Sequence, residues 1–192
     1  MSNKFLVEVS ARHSHLDQET VELLFGKGHT LTPIRDLSQP GEFVCQEKID
    51  IIGAKNTIQN VAVLGPTRSR TQVEVSLTDS YVLGHVAPVR DSGDIVGSQA
   101  IRLRGSIGEV ELKEGLIIAK RHIHMTPDDA ERLGVTDKQS VFVAVDTARS
   151  VIFGDTIVRV NSNYKLAMHT DTDEANAAGI GREGCEGEII AI

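Results

Sequence analysis

No stretch of this chain runs far without a breaker. Seventeen glycines, together with Asn and Asp, divide 192 residues into short segments, and such residues supply the turns between strands. The longest purely apolar run, 141–145, has five residues, where a membrane-crossing helix needs about 20. Phe5, Val7 and Val9 alternate with polar residues, the pattern of a half-buried strand. Comparable segments recur at 43–52, 57–64, 71–77, 116–120, 140–145, 151–160 and 165–168. Many short strands with frequent breakers predict a mostly β chain folded into sandwiches or barrels.

Three short helices are predicted. Asp17 caps one that runs to about Phe25 and stops at Gly26. Thr126-Pro127-Asp128-Asp129 starts a second, with a cap, a proline at the first position and acids at the positive end of the dipole; Gly134 ends it. A third covers Asp173 to Ala178, before Gly179. None is long enough for a coiled coil or an ordinary βαβ crossover.

Composition removes several function classes. Hydrophobic residues at 40% and charged residues at 24% exclude disorder. A net charge of −7 and only seven aromatics, none of them Trp, argue against nucleic-acid binding. The N-terminus lacks the apolar stretch of a secretory signal, and Cys45 and Cys185 form no C-x-x-C pair, so a reducing, intracellular setting is expected.

The chain also repeats itself. Arg12-His13-Ser14-His15-Leu16 and Arg121-His122-Ile123-His124-Met125 each end a strand, precede a capped helix and are followed by a Leu–Gly stop. Two equivalent halves are implied. Seven histidines in 192 positions give about 0.25 His-x-His pairs by chance, and two occur. Alternate residues of a strand share a face, so each pair can chelate one divalent cation, zinc by default for a His-rich site. A lone pair would read equally well as exposed polar residues. His169, at a strand end, and Glu74, on the polar face of Gln72-Val73-Glu74-Val75-Ser76, are the candidate additional ligands. Taken alone, Glu74 reads as a solvated carboxylate. His29 and His85 read as surface or loop residues. Gly65-Pro66-Thr67-Arg68-Ser69-Arg70 presents two guanidinium groups that could clamp an anion. On the residues alone, a binuclear zinc hydrolase of esters, amides or thioesters comes first, with a non-catalytic metal-binding β protein as the other class.

Four blocks, in order, carry a more specific resemblance. They are Val9-Ser10-Ala11-Arg12-His13-Ser14-His15-Leu16, Leu64-Gly65-Pro66-Thr67-Arg68 with Thr71-Gln72-Val73-Glu74, Lys120-Arg121-His122-Ile123-His124-Met125-Thr126-Pro127, and His169-Thr170-Asp171-Thr172-Asp173-Glu174-Ala175-Asn176. Together they resemble the PduL-type phosphotransacylases, or phosphate propanoyltransferases, over nearly the whole chain. That resemblance implies two pseudo-symmetric antiparallel β-barrels with short capping helices. One would span 12–119, and the other 120–192 completed by the N-terminal strand within 1–11, with a metal site at their interface. It implies reversible, zinc-dependent transfer of a short acyl group, acetyl or propanoyl, between coenzyme A and inorganic phosphate. It implies two Zn2+ ions held by His13, His15, Glu74, His122, His124 and His169, and Arg68 as the phosphate-binding arginine. Which ligands share which ion is open, as are the residues that meet coenzyme A, for which Arg12, Arg70, Arg90 and Lys120 are available. Expected partners are acyl-CoA, phosphate and acyl phosphate, with no nucleic acid or membrane, and a homodimer is what relatives suggest. Members sent into bacterial microcompartments carry an N-terminal amphipathic extension. Here the first strand begins near Phe5, so the expectation is a cytoplasmic enzyme.

Overall fold

The computed structural model describes residues 3–191. Its elements follow in chain order. The strand β1 (Lys4–Val9) comes first, then β2 (His13–His15), α1 (Gln18–Phe25), β3 (Pro33–Asp36), β4 (Phe43–Ile52), β5 (Thr57–Gly65) and β6 (Gln72–Glu74). Next come α2 (Leu77–Leu83), β7 (Val89–Arg90), β8 (Gln99–Arg104) and β9 (Glu109–Ala119). The remainder is β10 (His122–Met125), α3 (Pro127–Leu133), β11 (Ser140–Val145), β12 (Val151–Val160), β13 (Ala167–Thr170), α4 (Thr172–Ala177) and β14 (Cys185–Ile190). The chain is mostly β with short helices, as its breakers and alternation led us to expect.

The chain divides into two units, one of residues 12–37 and 41–119, the other of 3–11, 38–40 and 120–191. In the first, β2, β5, β4, β8, β9 and β6 pair in turn and the ring closes on β2. In the second, β10, β12, β11, β14, β1 and β13 close in the same way. Full closure leaves no sheet edge within a ring. The two rings match step for step, with β2 corresponding to β10, β5 to β12, β6 to β13, β4 to β11, β8 to β14 and β9 to β1. The direction of every pairing is preserved in this match. The strand that plays the part of β9 in the second ring therefore comes from the other end of the chain.

The strands do not run antiparallel throughout. In each ring two pairings are parallel, β2 with β5 and β6 with β9 in one, β10 with β12 and β13 with β1 in the other. Alternation in sequence specifies which face a residue takes but carries no information on strand direction. Direction follows from the connections, and a parallel pair needs a long one; α1, β3 and β4 lie between β2 and β5.

Helix ends lie where the caps put them. Asp17 accepts from the Thr20 amide at the start of α1, and Thr126 and Asp129 form a capping box at α3. The third predicted helix, α4, begins one residue earlier than expected, at Thr172, and is capped by Asp171 with Glu174. The helix α2 was not predicted, because alternation through Leu77 reads as continuing strand. Its signal is Ser76 with Asp79 three residues on, a capping box, closed by Gly84 in the left-handed region at φ 77°.

Each unit has its own core. Leu16, Leu24, Ile49, Ile51, Val73, Leu103 and Leu116 fill the first. Val7, Ile123, Met125, Val143 and Met168 fill the second. The period of two then decides the sites. Because Val73, Ile123 and Met168 point into the cores, Glu74, His122, His124 and His169 stand on the opposite faces of their strands.

Candidate metal centres and anion clamp

In the first unit, His13 and His15 are alternate residues of β2 and project together. Strand β6 pairs antiparallel beside them, and its register sets Glu74 directly opposite His13. The imidazoles meet edge to face at 4.9 Å between centroids, and the His13 Nε2 to Glu74 Oε2 distance is 3.6 Å. One potential ligand atom from each of the three residues lies within 4.8 Å of the others. Glu74 is 8% exposed, so it is not the solvated carboxylate its sequence context suggested. A buried carboxylate requires donors, and Ser92 Oγ (2.7 Å) and Gln72 Nε2 both donate to Oε1. The second oxygen is left facing His13.

The second unit repeats this arrangement. His122 and His124 alternate on β10, and His169 on β13 sits opposite His122. The three ring centroids are 4.6, 4.9 and 5.2 Å apart. By the strand correspondence, His169 stands where Glu74 stands in the first unit, which makes one donor set two imidazoles and a carboxylate, the other three imidazoles. The side chains thus group as His13, His15 and Glu74, and as His122, His124 and His169.

The ring nitrogens suit cation binding. Metal-ligating imidazoles ordinarily commit one nitrogen to an oxygen acceptor and present the other. His122 Nδ1 donates to the Lys120 carbonyl at 2.8 Å, and His169 Nδ1 lies 3.2 Å from Glu8 Oε1. His15 has a hydrogen bond with the Leu64 backbone while its Nδ1 is buried without a partner. Burial, then the neighbouring His13 and Arg68, holds His15 well below the usual histidine range, so it is a neutral donor at neutral pH. Burial, then Arg159, His169 and His124, does the same for His122. Tyr164 lies against His124 at 4.1 Å between ring centroids.

Arg68 follows β5, its backbone amide bonded to the Leu16 carbonyl at 2.9 Å. Its guanidinium reaches Glu42 Oε1 at 3.0 Å and Ser92 Oγ at 3.4 Å. Ser92 thereby links the arginine to Glu74. Three of the other candidate cations are engaged elsewhere. Arg12 pairs with Asp79 at 2.8 Å, Arg70 with Glu114, and Arg90 with Asp94 at 3.4 Å. Arg12 and its counterpart Arg121 each grip the acid of a capping box, Asp79 of α2 and Glu174 of α4. The arginine of the repeated motif is therefore a clamp between strand and helix. His29 lies in the loop between α1 and β3, half-buried and bonded to Glu47 at 2.8 Å.

Sequence reasoning missed Glu8, Ser92, Tyr164 and Arg159. Ser92 lies in a loop with no local pattern. Glu8 is visible only as the polar alternate of β1, and Arg159 only through its pairing opposite His124.

A family model described as phosphate propanoyltransferase matches residues 6–181. The chain belongs to that family. It is 53% identical over 184 residues to a phosphate propanoyltransferase of Listeria monocytogenes, covering 96% of this chain and 86% of the relative. It is 52% identical over 184 residues to one from Clostridioides difficile (96% and 88%). Against one from Thermotoga maritima it is 51% identical over 174 residues (90% and 83%). Membership of the phosphate propanoyltransferase family makes the chain a phosphate acyltransferase and gives no support to the hydrolase alternative. Among the described residues no helix is long and apolar enough to cross a membrane.

Proposed function

We propose that this enzyme moves a short acyl group, acetyl or propanoyl, reversibly between coenzyme A and inorganic phosphate, and that it uses two Zn2+ ions. His13, His15 and Glu74 would hold one ion, and His122, His124 and His169 the other. The observation that carries the reading is the recurrence of one ligand geometry at equivalent strand positions, with an arginine beside the first triad. The donors fit zinc: imidazoles with one nitrogen committed to an acceptor, a buried His15 nitrogen without a partner, and a carboxylate oriented by Ser92 and Gln72. When bound, zinc supplies Lewis acidity that polarises a thioester carbonyl and accepts a soft thiolate.

The chain's own residues do the rest. The Arg68 fork matches phosphate oxygens and offsets the phosphate charge that would oppose its approach to a carbonyl whose oxygen becomes an oxyanion. A phosphate oxygen forms the new bond to the acyl carbon as the carbon–sulfur bond breaks, and coenzyme A departs as the thiolate. No protein nucleophile is required. Cys45 is fully buried and burial pushes its thiol up to about 11, while Cys185 is raised by the same cause. Both cysteines are free, which suits a reducing, cytoplasmic location.

The test is to supply acyl phosphate and coenzyme A and follow thioester formation before and after a chelator. Phosphate-dependent transfer, lost with the metal and restored by Zn2+, is the expected result. Consumption of acyl-CoA to free acid without phosphate, or turnover indifferent to chelation, would overturn the proposal.

A further inference from the structure

Strand β1 runs parallel to β13, and its register sets Glu8 directly beside His169, while His122 lies opposite His169 on the other side. A carboxylate and two imidazoles therefore stand in one row across three strands. The same row in the first unit, taken through the strand correspondence, reads Ile117, Glu74 and His13. The residue in the place of Glu8 is thus an isoleucine, fully buried in its unit. Each row contains one carboxylate, but at a different position. In the first unit it is the candidate ligand itself. In the second it stands one residue behind the ligand.

Glu8 is held in that place from several directions. Phe5 and Val7 anchor β1 in the core, so Glu8 takes the opposite face. Thr170 Oγ1 donates to its backbone carbonyl at 3.3 Å. Ser38, which belongs to the second unit although it lies between β3 and β4 in sequence, donates its hydroxyl to Oε1. That same oxygen lies 3.2 Å from His169 Nδ1.

We propose that Glu8 is a positioning residue of the three-histidine centre: it fixes His169 with Nδ1–H toward the carboxylate and Nε2 toward the cation. It also gives this centre the negative charge that Glu74 gives its counterpart. The inference rests on the metal reading above and adds a residue outside both triads. An imidazole backed by a carboxylate is a stronger donor with a fixed tautomer, and losing such a partner typically costs metal affinity. The amide in Glu8→Gln keeps the acceptor oxygen but removes the charge; Glu8→Ala removes both.

The experiment titrates the metal-free protein with Co2+ and with Zn2+ against a chromophoric chelator, counting ions and affinities per chain. The wild type is expected to take up two ions. Glu8→Ala should bind one as before and the other roughly 10–100-fold more weakly, with Glu8→Gln between. In parallel, 15N chemical shifts of the His169 ring in the metal-free protein should report Nδ1–H in the wild type and a mixture of tautomers in Glu8→Ala. A wild type that takes up no metal overturns the metal reading itself. Two ions in the wild type with unchanged affinities in both variants, or Nε2–H at His169, overturns the role of Glu8 alone. If Glu8→Ala fails to fold, Glu8→Gln and the wild-type tautomer decide.

Discussion

At the scale of the residue, Arg68 and Glu42 form the most informative pair. The proposed phosphate fork is engaged by a carboxylate at 3.0 Å in a half-exposed setting, where an ion pair is weak and exchangeable. Arg68→Ala should raise the phosphate KM and slow turnover on the order of a hundredfold; near-normal kinetics would remove the arginine from the reaction. Glu42→Gln should act in the opposite direction on binding. With the competing charge gone, the phosphate KM should fall severalfold in initial-rate measurements, and a rise would show that the pair instead orients the arginine for its substrate. The cysteines yield a third expectation. With its thiol pushed up to about 11 and no exposure, Cys45 should resist alkylation in the folded protein at pH 8, as followed by mass spectrometry. It should react once the chain is denatured.

At the scale of the element, the helices are short enough for their caps to matter. Removing the Thr126 side chain should cost α3 about 1 kcal/mol, measurable by denaturant unfolding. The acids Asp17 and Asp129, in the caps of α1 and α3, also predict a pH dependence. Burial pushes Asp17 up, but hydrogen bonds from Thr20 and Thr71 together outweigh it and leave the group below the usual carboxylate range. Burial likewise raises Asp129, and Arg132 and Thr126 outweigh it. A carboxylate depressed in the folded state contributes stability above its unfolded pKa and loses it as pH falls through the folded one. Unfolding midpoints should therefore decline on the acid side of the normal carboxylate range, and the decline should be shallower in Asp17→Asn. Elements also show where sequence reading stops. Asp17, Thr126 and the glycines after them are local signals, so α1 and α3 were legible. The strand-like alternation up to Leu77 concealed α2, since a capping box and a strand end can occupy the same few residues.

At the scale of the whole molecule, the duplication predicts a metal inventory. His13→Ala and His122→Ala should each reduce bound Zn2+ from two ions per chain to one, and the double variant should hold none, as counted by elemental analysis of dialysed protein. Loss of both ions from either single variant would show that the centres load cooperatively, contrary to separate ligand sets. The duplication is equally visible in the rings, where every strand of one has a counterpart in the other.

Local geometry needs no fold: alternate residues of a strand share a face, and a cap binds amides two or three residues away. The paired histidines, the helix starts and the polar face carrying Glu74 could therefore be read directly from the amino acids, and the resemblance brought them together into one list with His169. Tertiary structure decided which of the candidate ligands stand together. Glu74 reaches His13 across about 60 positions and Glu8 reaches His169 across about 160, through strand pairings whose register and direction are set by ring closure and core packing. Those long-range terms leave no periodic trace in the chain, because each depends on which apolar faces can be buried together.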